Sequence, residues 1–167
     1  MPRVTKLIEE IPKVPDIRGE MWIPFSPVAK GRPRMSRNGG VYTPKKTRDA
    51  ETLIRDFVET HHCIPEPIPY PLEMEIIFFF KHLGPPNWHV KKPDIDNTVK
   101  LICDSLGPYT YTYLGSKKKK EGILYIDDCQ VCSLITKKYW HKDQGIWIKW
   151  RTLGAPEQVE HPLARKP

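Results

Sequence analysis

The sequence has no long hydrophobic run. Its longest apolar stretch covers residues 76–80, far short of the roughly 20 residues a membrane-spanning helix requires. The first residues carry charge but no apolar segment of the kind a secretory signal needs. No segment recurs at a fixed period, which argues against solenoids and propellers. Cysteine is scarce, four in 167 residues, and no second pair complements Cys129-x-x-Cys132 at zinc-site spacing. With no export signal, the thiols are expected to be reduced and the compartment cytoplasmic.

What the chain has in excess is proline and positive charge. The 18 prolines gather near the N-terminus, around residues 65–71 and at the C-terminus, as punctuation between short elements. The net charge is +7 and the pI about 9.2, a balance that favours a polyanionic partner. Apolar residues make up 39% of the chain, with five Trp, seven Tyr and five Phe. At this length one domain with a true core is expected. Lysine and arginine collect in loop-like stretches, and acids near Asp94 and Asp128 interrupt them.

Residues 1–19 show no clear period and read as an N-terminal arm. A short strand is expected over 20–24. The stretch from Pro27 to Arg34 breaks regular structure, Asn38-Gly39-Gly40 signals a turn, and Val41-Tyr42 resumes a strand. Thr43-Pro44 reads as an N-cap with proline in the first helical position, followed by a helix over 44–61 carrying Leu53, Ile54, Phe57 and Val58 at helical spacing. Residues 72–81 form a strand buried on both faces, with Met74, Ile76, Phe78 and Phe80 on one of them. After a loop over 84–93, Asp96 or Asn97 caps a helix over 97–106 whose apolar stripe is Val99, Ile102, Cys103 and Leu106. Residues 107–122 read as irregular, 123–139 as a strand bent near Asp127-Asp128, and 146–150 as a last strand. The domain is thus expected over 20–153, with a flexible tail over 154–167.

The segment Lys92-Pro93-Asp94-Ile95-Asp96-Asn97-Thr98-Val99-Lys100 is the most informative. Asp94 and Asp96, two residues apart in an extended run entering a helix, turn their carboxylates to one side. Two close carboxylates repel unless a cation lies between them, and a hard cation such as magnesium takes oxygen ligands. Asp96, Lys100 and Asp104 then share one helical stripe, apart from the apolar face. The same residues would also make an N-capped helix with an ion-pair ladder on a wet face; the density of acids in a basic chain favours the metal site. Asp127-Asp128 alone reads as a turn or strand-entry pair. Adjacent strand residues face opposite ways, so at most one is a close ligand unless a bend re-aims them.

Taken in order, Asp-x-Asp-Asn-x-x-Lys, Asp104-Ser105-Leu106 and Asp127-Asp128-x-Gln130-Val131 resemble the RusA family of Holliday-junction resolvases. Pro27-Val28-Ala29-Lys30-Gly31-Arg32-Pro33-Arg34 resembles that family's N-terminal segment, and the likeness spans roughly residues 20–150. The resemblance implies an α+β fold, a small mixed sheet with two main helices packed on it, in a homodimer. It implies a bacterial or phage-encoded endonuclease that cuts four-way junctions with Mg2+, for which Mn2+ can substitute, in DNA recombination and repair. By position, Asp94, Asp96 and Asp128 are similar to the catalytic metal-ligating acids and Lys100 to the catalytic lysine. Asp127 matches a less certain ligand position, and Asp104 an outer one. The stretch between Leu106 and Asp127 is longer than the family's usual, and the N-terminal arm is extra.

Candidate phosphate contacts are Lys30, Arg32, Arg34 and Arg37 around the turn, Lys45 and Lys46 at a helix start, Lys91 and Lys92 before the acids, and Lys117, Lys118, Lys119 and Lys120 in an expected loop. Each group also reads as a solvated basic loop. A zinc site built from Cys129, Cys132, His61, His62 and Cys63 is disfavoured, because positions 129 and 132 of a strand face opposite sides. Trp140, Trp147 and Trp150 read as core or dimer packing. Rival readings are a non-catalytic structure-selective DNA-binding protein, a nuclease of the Pro-Asp…Asp/Glu-x-Lys type, for which no downstream acid-x-Lys is found, and a small basic packing protein.

Overall fold

A computed structural model describes residues 13–155. Strand β4 (Leu72–Lys81) organises the rest. Its apolar residues alternate between fully buried Met74, Ile76 and Phe78 and half-buried partners such as Ile77 and Phe79. Period-two burial gives the strand an inner and an outer face. β4 lies at the centre of a five-stranded sheet with β1 (Arg18–Ile23), β9 (Gly145–Thr152), β8 (Val131–His141) and β5 (Asn87–Trp88), in the order β1-β9-β4-β8-β5. β4 and β8 run parallel, and the other pairs run antiparallel. The sheet is therefore mixed, and the fold is α+β, with helices α1 (Lys45–His61) and α2 (Ile95–Leu106).

The helices close the inner face. α1 buries Ile54 and Val58; α2 buries Val99, Leu101, Ile102 and Leu106. These join Met21, Ile23, Ile146 and Ile148 of the sheet in one core. Each fully buried aliphatic or aromatic side chain contributes about 1.5–3 kcal/mol relative to exposure. Gly19 is demanded by packing. A Cβ there would lie 2.4 Å from the Trp150 ring.

Several expectations shift. β1 begins at Arg18, inside the expected arm; the rest of that arm before Lys13, and the tail from residue 156, lie outside the described residues. Pro44 is the N-cap of α1, not its first residue, and no side chain caps it. Leu53 is half exposed, because the sheet meets only the Ile54–Val58 side of α1. α2 starts two residues early, with Asp94 and neither Asp96 nor Asn97 at the N-cap.

The largest correction concerns residues 107–122. They form a β-hairpin, β6 (Tyr109–Tyr113) against β7 (Ser116–Lys120), and the lysine run lies in a strand. Tyr-Thr-Tyr-Thr-Tyr has the alternation of a strand. Leu114 and Gly115 make a two-residue turn with φ of 49° and 76°, the left-handed pair that a tight hairpin requires. A second small hairpin, β2 (Arg34–Met35) with β3 (Val41–Tyr42), spans the expected turn.

The expected strand over 123–139 is divided. Residues 123–126 run beneath the end of α2, where the Ile123 and Leu124 amides donate to the Leu106 carbonyl at 2.8 and 3.0 Å. A single 3-10 turn follows at Asp128–Gln130, and β8 begins only at Val131. Gln130 forces the break. Its Oε1 accepts the Asp127 amide at 2.8 Å, and its Nε2 donates to the carbonyls of Ile68 and Tyr70 at 2.9 and 3.1 Å.

Candidate active site

The acids lie on α2, from its N-cap onward, and on the turn that precedes β8. Asp94 adopts an extended backbone (φ −70°, ψ 144°) at the N-cap, and its carboxylate makes no capping bond. Its carbonyl does the local work, accepting the Thr98 amide at 3.1 Å and the Thr98 hydroxyl at 2.8 Å. Asp96 lies in the first turn. Both carboxylates are exposed at the positive end of the helix dipole, which lowers the cost of leaving them unpaired. Lys100 follows one turn on and is also exposed.

The segment entering α2 is tied down from a distance. Lys138 on β8 donates from Nζ to the carbonyls of Lys91 and Pro93, both at 2.8 Å. The Lys92–Pro93 bond within this segment is cis. The Lys30 amide donates to the Asn97 carbonyl at 2.9 Å, which docks the basic 27–34 segment against the start of α2.

Two of the five acids are committed to the fold. Asp104 bonds Lys30, which also meets Glu51 at 3.3 Å, while Arg55 donates to the Asp104 carbonyl at 3.0 Å and meets Glu51 at 3.7 Å. Burial pushes the Lys30 ammonium down, but Asp104 and Glu51 together hold its pKa above the ordinary lysine value. Lys30 is thus engaged within the fold by Asp104 and Glu51. Asp127 caps the 3-10 turn. Its carboxylate accepts the Cys129 amide at 3.0 Å, and the Cys129 thiol, amide and nearby Lys119 hold it below the usual carboxylate range.

Asp94, Asp96 and Asp128 form no ion pair among the described residues. The 3-10 turn uses the Asp127 carboxylate as its cap and has Asp128 as its first residue. Asp128 lies close enough to α2 to act on Cys103. Burial raises that thiol's pKa, Asp104 and Asp128 raise it further, and Lys100 opposes them. The buried Tyr125 hydroxyl donates to the Cys103 carbonyl at 2.6 Å and couples the approach to Asp128 to the end of α2. Among the described residues no three acidic, histidine or cysteine side chains converge as a metal-holding group. The four cysteines are free thiols.

Basic side chains border the acids. A cleft of about 540 Å³ is lined by Arg32, Arg34, Lys46 and Pro93, next to Asp94. Arg37, Lys45, Lys91 and Lys92 are exposed. Lys45 and Lys46 lie in the first turn of α1, where the helix dipole disfavours cations. Another cleft, of about 490 Å³, lies at the sheet near Arg18, Glu73 and Ile135 and holds none of the candidate acids.

A family model described as Endodeoxyribonuclease RusA matches residues 24–151. The chain belongs to the RusA family. The matched span holds the docked basic segment, both helices and every candidate acid, and it makes the protein a nuclease of the phosphodiester-hydrolysing kind. A comparison with curated proteins finds no match. No helix among the described residues is long and apolar enough to cross a membrane.

Two features of this fold were missed by sequence reasoning. Lys138 reaches its carbonyls across 45 and 47 residues, and no local pattern marks such a tether. The hairpin did leave a signal, the tyrosine alternation before Leu114-Gly115.

Proposed function

We propose that this RusA-family chain is a magnesium-dependent endonuclease that resolves Holliday junctions or related branched DNA by paired cuts during recombination and repair. The observation that carries the proposal is the division among the acids. Asp104 and Asp127 are engaged by the fold, while Asp94, Asp96 and Asp128 have no ion-pair partner among the described residues.

These donors fit the ion. Magnesium prefers carboxylate oxygens, keeps several waters, and is commonly held by one or two carboxylates together with substrate phosphates. An open arrangement of exposed aspartates suits that mode, and Mn2+ shares the donor preference. Asp94 and Asp96 would hold the ion, and Asp128 would complete its protein ligands. Asp127 is assigned to positioning, because its carboxylate caps the turn that presents Asp128. When bound, the ion supplies a water of lowered pKa and positive charge at the scissile phosphate. Lys100 sets a fixed ammonium against the charge that develops on that phosphate. Arg32, Arg34, Arg37, Lys45, Lys46, Lys91 and Lys92 bind the phosphates of the arms.

Two cuts across a symmetric junction call for two sites, hence a homodimer. The outer face of the sheet supports this. Trp22 and Ile135 remain 39% and 44% exposed there, beside half-buried Phe79, Tyr139 and Trp147.

The decisive experiment incubates end-labelled four-way junction and linear duplex with the protein, with and without Mg2+. We expect Mg2+-dependent nicks in the junction, and Asp96→Asn should bind it without cutting. An uncut junction in both Mg2+ and Mn2+ overturns the proposal. The alternative, a non-catalytic structure-selective DNA-binding protein, is favoured by the lack of a converged acidic cluster among the described residues; it gives metal-independent binding and no product.

A further inference from the structure

The β6–β7 hairpin is a detour that the core does not need. It leaves the end of α2 and returns to the segment leading to Asp127. Its neck is closed. A Cβ on Gly122 would lie 1.9 Å from the Tyr125 carbonyl oxygen and 3.0 Å from the Gly107 carbonyl carbon, so the two chains pass in contact. Its base is docked on α1, with the Arg55 guanidinium 4.2 Å from the Tyr109 ring centroid and Lys120 paired with Glu59 at 2.7 Å. Beyond the base, the ribbon projects. Tyr111, Tyr113 and Leu114 are 44%, 60% and 87% exposed. Lys117, Lys118 and Lys119 are exposed and form no ion pair among the described residues.

For folding alone this composition is unfavourable. Neighbouring like charges repel, exposed aromatics gain nothing, and a leucine at φ 49° is strained. A single partner answers the charges and the exposed apolar tip together. Phosphates neutralise the lysines, base faces accept the tyrosine rings and the leucine, and a two-stranded ribbon has the width that a major groove admits. An acidic protein surface would answer the lysines and leave the apolar tip unexplained.

We propose that the β6–β7 hairpin probes DNA at the branch: Lys117, Lys118 and Lys119 grip the phosphates of an arm, while Tyr111, Tyr113 and Leu114 stack on bases left unstacked at the crossover. The hairpin thereby sets the preference for branched over linear DNA. This deepens the endonuclease proposal and rests on it for the class of partner.

The test uses full-length Asp96→Asn protein and junctions carrying 2-aminopurine either at the branch or within an arm. Binding should change the fluorescence at the branch only. Tyr111→Ala/Tyr113→Ala/Leu114→Ala should remove that change and lower the junction-to-linear affinity ratio about 10-fold or more, since one stacked base is worth ~1–3 kcal/mol. Lys117→Ala/Lys118→Ala/Lys119→Ala should reduce the slope of log affinity against log salt by about 2–3. All the changed side chains are exposed, and matching thermal melts confirm folding. An unchanged branch signal and affinity ratio in the tip variant, or an unchanged salt slope in the lysine variant, overturns the inference. None of these readouts needs cleavage. A branch signal lost with the tip, where the parent protein with Asp96 intact cuts no junction in Mg2+ or Mn2+, supports the hairpin and overturns the nuclease reading alone.

Discussion

Lys138→Met isolates the positioning of Asp94 from the chemistry. The ammonium donates two bonds of 2.8 Å, to the Lys91 and Pro93 carbonyls, and Asp94 is the next residue. A hydrogen bond from a charged donor contributes ~1.5–3 kcal/mol net when well shielded. Discounted for a partly wet ammonium, the pair contributes about 2–3 kcal/mol. Methionine keeps the stem and removes both bonds, so two carbonyls lose their donor. At this chain length the loss lowers Tm by roughly 4–12 °C. The kinetic effect is larger, because a misplacement near 1 Å costs about 10²-fold in rate. Cleavage of a labelled junction at saturating Mg2+ should fall ~10–100-fold, with junction affinity little changed. Lys138→Arg keeps the charge with a different reach, and should keep the parent's affinity and restore the rate in part. A Lys138→Met enzyme with the parent's single-turnover rate and melting temperature would refute the reasoning, since Asp94 would then be placed without the tether.

Three further outcomes follow from particular contacts. Tyr125→Phe removes the hydroxyl that donates to the Cys103 carbonyl, which keeps the Gly107 amide at 3.0 Å; urea denaturation should show a loss of about 0.5–1.5 kcal/mol. Gly122→Ala places a Cβ 1.9 Å from a backbone oxygen and should cost at least ~1–3 kcal/mol, with protease sensitivity rising in the hairpin first. The Lys30 pKa is raised above 10.5 in the fold. Its contribution is therefore full below the unfolded value and is lost as pH rises through the folded value; Lys30→Met should flatten the decline of Tm above about pH 10.5, read by melts across the alkaline range.

Local patterns were legible where a residue's own neighbours decide its state. The alternation in β4 and the spacing in α1 and α2 gave elements within a few residues of those observed. The start of α2 moved because Asp94, with its carbonyl bonded to Thr98, serves as cap through its backbone and not its side chain. The hairpin was hidden by its lysines, which read as a solvated run until the tyrosine strand opposite them is counted as a partner. The strand over 123–139 was broken by Gln130, whose bonds to Ile68 and Tyr70 lie about 60 residues away in sequence. Asp94, Asp96 and Lys100 stood out by spacing. The capping bond of Asp127 needed the 3-10 turn, and the engagement of Lys30 and Asp104 needed the docking of the 27–34 segment on α2.

The same geometry explains how a fold with +7 net charge tolerates exposed acids that it does not pair. Asp94 and Asp96 lie at the positive end of α2, where the dipole favours a carboxylate by ~0.3–1 kcal/mol, so the helix itself offsets their repulsion. Asp104 lies near the opposite end, where the dipole disfavours it, and there the structure supplies Lys30 to its carboxylate and Arg55 to its backbone carbonyl. The partner of Asp104 is thus placed where the helix cannot help, and the two open acids of α2, Asp94 and Asp96, are those the helix can hold without one. An open acid at a helix N-terminus keeps its ligand capacity at little cost to stability. That combination suits a site completed by a cation and a phosphate arriving with the substrate. It also accounts for carboxylates that do not close into a ready cage among the described residues, because a preassembled cage in the free protein would add mutual repulsion that no single dipole could offset.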